Sequence, residues 1–393
     1  MSTHAAVGGP ILTRPVKLLL GLAVLGFAVV AWRFAAGLGA TTGLSDGYPF
    51  GLWIAFDVVT GTALACGGYA VALLVYILNK GKYHPLVRPA LLTSALGYSL
   101  AGLAVAVDVG RPWFIWKVPL FFWRWNLSSA LLEVALCIMA YVIVLWIELS
   151  PAFLERWETS SKPRLARFAK KTRPPLEKAL LWIIALGILL PTMHQSSLGT
   201  VMLLAGHKLH PLWNTPMVPL LFLISCLAMG YAVVVMESTL STRLLGRRAE
   251  TDMLASLSGA MVFVLGLWLV IRWVDVAVRG QLGAAFAFDS YSVWFLVESL
   301  LFLVPLAMLL AKGRRRDPGY LFQAALLIIL AGSLYRFATY LIAFNPGNNW
   351  AYFPTIPELL VTLGFIAAEI VLYVAVVKRF PILAGREAAG SHA

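Results

Sequence analysis

The chain has 393 residues, 60% of them hydrophobic and 12% charged, with a mean hydropathy of +0.83. A soluble domain carries about 25% charged residues, so a soluble globular protein is excluded and an all-α integral membrane protein is expected. The formal net charge of +13 does not point to nucleic acid, because the basic residues sit in short segments between apolar runs.

Ten spans are predicted, at 17–38, 52–78, 87–109, 128–149, 176–195, 217–240, 254–275, 290–311, 320–344 and 357–379. The first apolar run is long and no small-residue cleavage site follows it, so no cleavable signal peptide is expected. With the N-terminus assigned to the cytoplasm, the inner segments hold 23 Lys and Arg residues, Arg247, Arg248 and Arg386 among them, against five outside. The positive-inside rule therefore predicts both termini in the cytoplasm. Arg33, Arg272 and Arg336 remain within or at the ends of spans.

The stretch 150–175 (SPAFLERWETSSKPRLARFAKKTRPP) reads as a basic inner loop near anionic lipid. The outer segment 112–125 contains seven aromatic residues, Trp113, Phe114, Trp116, Phe121, Phe122, Trp123 and Trp125. They suit an interfacial belt, and are dense enough to line an entrance for an apolar ring or to dock a protein.

A faint repeat relates Val107-Asp108-Val109-Gly110-Arg111 to Val274-Asp275-Val276 with Arg279, and Glu133 to Glu298. A shift of four spans preserves orientation. It predicts a first four-helix bundle over 52–195 and a second over 217–344, flanked by 17–38 and 357–379.

The polar residues converge at one depth. Asp57 lies about a turn and a half into span 2, Asp108 and Arg111 end span 3, Glu133 is as deep as Asp57, and His194 with Gln195 ends span 5. Asp57, Gly61, Ala65 and Gly68 share one helix face, as do Ser129, Glu133, Cys137 and Ala140. Pro191 frees the carbonyl of Gly187 one turn below. Ionised groups are expensive in hydrocarbon, about 2.5–3.5 kcal/mol at a helix centre on insertion scales, so they usually face a cavity or a partner. Tyr98, in mid-span, is a candidate hydrogen-bond donor or a packing residue. Glu237, Glu298, Arg336 and Glu369 mark either a proton route or a structural ion-pair network.

Cys66, Cys137 and Cys226 stand singly in apolar segments, so no iron–sulfur cluster, structural metal site or disulfide is expected in this protein. Haem is not expected either. His4 and His392 are terminal, His84, His207 and His210 are in loops, and only His194 borders a span. Carboxylates, an imidazole, a tyrosine and nearby aromatics suit a quinone, whose reduction takes up two protons with two electrons. With no redox centre here, the electrons must come from a partner at the outer face. A proton- or cation-coupled transporter and a passive membrane anchor are the alternative readings.

At these residues the sequence resembles the NrfD/polysulfide-reductase-type membrane subunits, and among them the integral membrane subunits of hydrogenase-2-type nickel–iron hydrogenases. The matching stretches are PFGLWIAFDVVTGTALACGGYA (49–70), KYHPLVRPALLTSALGYSLAGLAVAVDVGR (82–111) and NLSSALLEVALC (126–137), with ALGILLPTMHQSSLGTVMLLAGHKLHPLW (185–213) and AFNPGNNWAYFPTIPELLVTLGFIAAEI (343–370). The resemblance implies two four-helix bundles with two flanking helices in the inner membrane, no haem, and a quinone site (menaquinone or ubiquinone) near the periplasm. Glu133, Asp57 and His194 would do the chemistry there, with Tyr98, Asp108, Arg111 and Gln195 binding. It also implies a periplasmic ferredoxin-like iron–sulfur subunit and the large and small subunits of a nickel–iron hydrogenase. Relatives of this type serve polysulfide, nitrite and other redox partners. Asp275 and Glu298 lack a companion like His194, so no second quinone site is expected.

Overall fold

The computed structural model describes residues 4–246 and 250–384; Arg247, Arg248, Arg386 and His392 lie outside the described residues. Among the described residues, ten helices are long and apolar enough to cross a membrane: α1 (Arg14–Ala36), α2 (Trp53–Ile77), α3 (Gly81–Asp108), α4 (Ala130–Glu158), α5 (Pro163–Leu204), α6 (Val218–Leu245), α7 (Thr251–Val278), α8 (Ser290–Leu310), α9 (Pro318–Ile342) and α10 (Ile356–Arg379).

The largest departure from the sequence reading is α5. Its predicted span, 176–195, is the middle of a 42-residue helix about 63 Å long at 1.5 Å per residue. The basic stretch 150–175 is therefore mostly helical, and only 159–162 breaks it. Apolar composition ends where hydrocarbon would end, but good helix formers continue and ion pairs fasten the extension. Arg88 pairs with Glu155 at 2.7 Å, and Arg173 with Glu158 and Glu177 at 3.0 and 2.8 Å.

At one end of the molecule, the segments around 37–52, 205–217, 279–289 and 343–355 are laced together into a cap. His210 N donates to Ala343 O, Asn345 N to Lys208 O, Tyr48 Oη to Phe344 O and Thr355 Oγ1 to Thr41 O. Arg279 reaches the carbonyls of Pro211 and Asn214. The other end carries the basic residues and a two-stranded antiparallel sheet, in which His4–Ala5 (β1) pairs with Leu383–Ala384 (β2).

Helices α2 to α5 pack in sequence, α6 to α9 likewise with α9 returning to α6, and α1 lies against α10. The two sets meet where α2 and α5 touch α6, and where α2 touches α9. Glycine makes the closest approaches possible: a Cβ on Gly26 would stand 2.7 Å from Gly364 Cα, and one on Gly230 2.7 Å from Cys66 O. Helix α2 is irregular, with wide π-turns over Trp53–Thr60 and Leu73–Ile77 and a break at Ala65–Cys66. Such turns recur at functional sites because they redirect side chains and free carbonyls.

Candidate functional site

The predicted site residues fall at two levels, not one. Near the capped end, Asp57 in the first π-turn of α2 accepts a 2.7 Å bond from Thr362 of α10. Asp108 ends α3, and its Oδ1 is buried without a partner. Arg111 does not pair with it. The backbone leaves the helix at Val109 (ψ 133°), which carries Arg111 into an exposed turn. The cation acting on Asp108 is Arg33 of α1, which also donates to Val109 O at 2.7 Å. The repeat diverges here. Helix α7 continues further in register, so Arg279 sits at i+4 and does pair with Asp275 at 2.7 Å.

Glu358, about one turn before Thr362 on α10, closes this level. It accepts from Gly43 N, Thr355 N and Tyr352 Oη at 2.9, 2.9 and 2.6 Å. Burial, with Glu358 beside it, pushes the Tyr352 phenol above its ordinary range. Helices expected only to flank the bundles thus supply Arg33, Glu358 and Thr362 to the site. Arg33 carried a signal in sequence, a charge inside an apolar run. Thr362 carried none.

The second level is deeper. Because α5 continues to Leu204, His194 and Gln195 lie about ten residues from its end rather than at it, about 15 Å inward. Tyr98 lies ten residues before the end of α3. Gln195 Nε2 donates to Tyr98 Oη at 3.2 Å and to Thr62 Oγ1 at 3.1 Å, and Cys66 Sγ stands 3.4 Å from Tyr98 Oη. The Tyr98 ring meets Tyr141 edge-on at 4.6 Å and His194 at 5.7 Å. His194 and Gln195 are fully buried. Both ring nitrogens of His194 and Oε1 of Gln195 have no partner, an expensive state unless a ligand or water supplies one. Glu133 joins neither level. It is half-buried in the first turn of α4 and makes no side-chain hydrogen bond or ion pair among the described residues.

In the other half, Arg272 and Glu298 are both fully buried and paired at 3.3 Å, with Trp213 Nε1 donating to the same carboxylate at 3.0 Å. Glu237 is held by Thr93 and Tyr373. Glu148, which the sequence reading passed over, is buried where α4 meets Gly187 of α5.

Residues 40–345 match the family model described as polysulphide reductase, NrfD. The protein is 42% identical to the probable Ni/Fe-hydrogenase 2 b-type cytochrome subunit of Escherichia coli over 384 residues, covering 96% of its own length and 94% of the relative. It is 29% identical to the integral membrane subunit of menaquinone reductase from Nitratidesulfovibrio vulgaris, over 82% of its own length and 80% of that subunit. The C subunit of polysulfide reductase from Wolinella succinogenes is 24% identical, over 68% and 86%. The first of these names contains a b-type cytochrome, which prompts a test for haem. A transmembrane b-type haem is usually held by two imidazoles on facing helices. Among the described residues His194 has no second imidazole across from it; its ring faces Tyr98, and His84 is exposed at the basic end. These residues do not fit a bis-histidine haem.

Proposed function

The protein belongs to the polysulphide reductase NrfD family, and we propose that it is the membrane anchor and quinone-reactive subunit of a periplasm-facing nickel–iron hydrogenase complex. It is a multi-pass integral membrane protein whose relatives are membrane subunits of oxidoreductase complexes. In this reading it sits in a bacterial inner membrane with the basic end and both termini in the cytoplasm, as the positive-inside rule requires. The capped end faces the periplasm. There it receives electrons from a ferredoxin-like iron–sulfur subunit, itself supplied by the large and small hydrogenase subunits. Segments 52–195 and 217–344 form two four-helix bundles, and the quinone binds in the first.

The observation that carries the quinone reading is the pair of unsatisfied groups on adjacent residues of α5, the His194 imidazole and Gln195 Oε1. They match the two states of the substrate. A quinone carbonyl accepts a hydrogen bond and a quinol hydroxyl donates one. A quinone supplies a two-electron, two-proton acceptor when bound. His194 donates an N–H to one carbonyl oxygen, and Gln195 Oε1 receives the hydroxyl once it forms. Tyr98 and Thr62 hold the Gln195 amide so that its oxygen points away from them. Asp57 and Asp108 at the capped level pass protons toward the site, and Glu133, which meets neither level, is given no step. Arg33, the cation beside Asp108, organises that level in place of the exposed Arg111.

The test is His194→Gln in the assembled complex. Hydrogen-dependent quinone reduction should fall about 100-fold while hydrogen oxidation with an artificial dye stays at the wild-type rate. Quinone reduction at the wild-type rate would remove His194 from the reaction. The names of the menaquinone and polysulfide reductase relatives favour a second reading, in which the same quinone chemistry serves another oxidoreductase. Recovery of a molybdenum enzyme instead of a nickel–iron one in mild detergent would select it.

A further inference from the structure

Arg336 of α9 is fully buried and is not paired with a carboxylate among the described residues. Its Nη1 donates to Val59 O at 2.8 Å, and its Nη2 to Phe222 O at 2.6 Å and Ser225 Oγ at 3.3 Å. The guanidinium lies over the Phe222 ring, 4.6 Å from its centroid, and Nε has no partner. These groups satisfy hydrogens but bring no negative charge. Arg272, equally buried in the neighbouring helices, has Glu298 as its counter-ion. A buried charge costs several kcal/mol and is normally paired. An unpaired one in a low-dielectric interior projects its field over many ångströms.

That field falls on the site described above. Helices α5 and α9 run in the same direction, and Tyr340 Oη donates to Leu198 O at 2.8 Å. Arg336 lies four residues before Tyr340 and His194 four residues before Leu198, so the two residues sit at similar heights on their helices. On α2, Val59, whose carbonyl Arg336 holds, lies three residues before Thr62, which accepts from Gln195. The charge of Arg336 acts through space on both His194 and Tyr98.

We propose that Arg336 is an electrostatic positioning residue, contributed by the second half of the molecule, that makes the quinone at His194 and Gln195 easier to reduce. This rests on the quinone reading. Two electrons from the partner oxidoreductase and two protons convert both quinone carbonyls to hydroxyls. An electron that arrives before its proton leaves negative charge on a quinone oxygen. A fixed positive charge already in place, with no counter-ion to reorganise, lowers the energy of that state. Arg336 does this without touching the substrate.

The experiment uses the assembled complex and two soluble acceptors, a low-potential naphthoquinone and a high-potential benzoquinone. The variants are Arg336→Gln, Arg336→Lys and Ser225→Asp. The last places a carboxylate beside the guanidinium while leaving its bonds to Val59 and Phe222. Arg336→Gln and Ser225→Asp should each lower kcat with the naphthoquinone about tenfold, and with the benzoquinone less than about twofold. Arg336→Lys should keep the wild-type ratio. Should Arg336→Gln fail to assemble, Ser225→Asp decides alone. A wild-type ratio in Ser225→Asp, an equal loss with both acceptors, or Arg336→Lys behaving like Arg336→Gln would overturn the proposal. Failure of the underlying reading looks different: the wild-type complex would then reduce neither quinone, or His194→Gln would leave quinone reduction at the wild-type rate.

Discussion

The Gln195 amide and the Tyr98 hydroxyl are hydrogen-bonded at 3.2 Å between α5 and α3, with Cys66 Sγ 3.4 Å from the same hydroxyl. Gln195 divides its polar atoms: the nitrogen is committed to Tyr98 and Thr62, and the oxygen is left over. Removing the Tyr98 hydroxyl should let the amide turn and spoil that division. A single hydrogen bond contributes about 0.5–1.5 kcal/mol, so Tyr98→Phe should raise the quinone KM between about twofold and tenfold. Hydrogen oxidation with an artificial dye should be unaffected. An unchanged quinone KM would make Tyr98 a packing residue only.

Arg272 and Glu298 form a second buried polar centre, and its expected role is structural. Removing one partner of a fully buried pair leaves the other charge uncompensated, at a cost of about 3–5 kcal/mol. Glu298→Gln should therefore lower the Tm of the purified complex markedly. The quinone KM of whatever folds should stay at the wild-type value. A raised KM at unchanged Tm would give Glu298 a place in the quinone chemistry instead.

The flanking helices can be tested through their closest contact. Valine at Gly364 would force α10 off α1, since even a Cβ there meets Gly26 Cα at 2.7 Å, and overpacking of this kind costs about 1–3 kcal/mol. Because α1 carries Arg33 and α10 carries Thr362, the shift should also reach Asp57 and Asp108. Gly364→Val should thus lower both thermal stability and quinone turnover, whereas Gly21→Val, at a position open to its surroundings, should alter neither.

At the basic end, burial pushes His4 down to about 4, with Arg88 acting in the same direction and Glu155 against it. The folded state resists a proton that the unfolded segment accepts near 6.5. The pairing of β1 with β2 is therefore fully stable above about pH 6.5 and weakens as pH falls toward 4, below which both states are protonated. Hydrogen exchange of the strand amides should accelerate across that window, and His4→Gln should abolish the dependence. Exchange independent of pH, after correction for its intrinsic rate, would contradict it.

Ten helices were legible in the sequence because each carries an apolar run of spanning length. Their ends were less so, since hydropathy reports where hydrocarbon stops and not where hydrogen bonding stops. That difference moved His194 and Gln195 from a predicted helix end to mid-helix, and turned 150–175 from a loop into helix. Asp108 and Arg111, which the sequence places together at the end of span 3, part because the backbone turns extended at Val109. Contacts between distant segments, such as Asp57 with Thr362 and Arg336 with Val59, leave no periodic trace in a single sequence. Only the rarity of a buried charge hinted at Arg33 and Arg336.

The most direct measurement is an electron cryomicroscopy map of the assembled complex with a tight-binding quinone analogue. In the reading proposed here, the analogue's ring lies in the first half, with one carbonyl oxygen within hydrogen-bond distance of a His194 ring nitrogen and its edge near Gln195 Oε1. An analogue seated in the second half, beside Glu298 or Tyr335, with His194 still enclosed by protein, would contradict it.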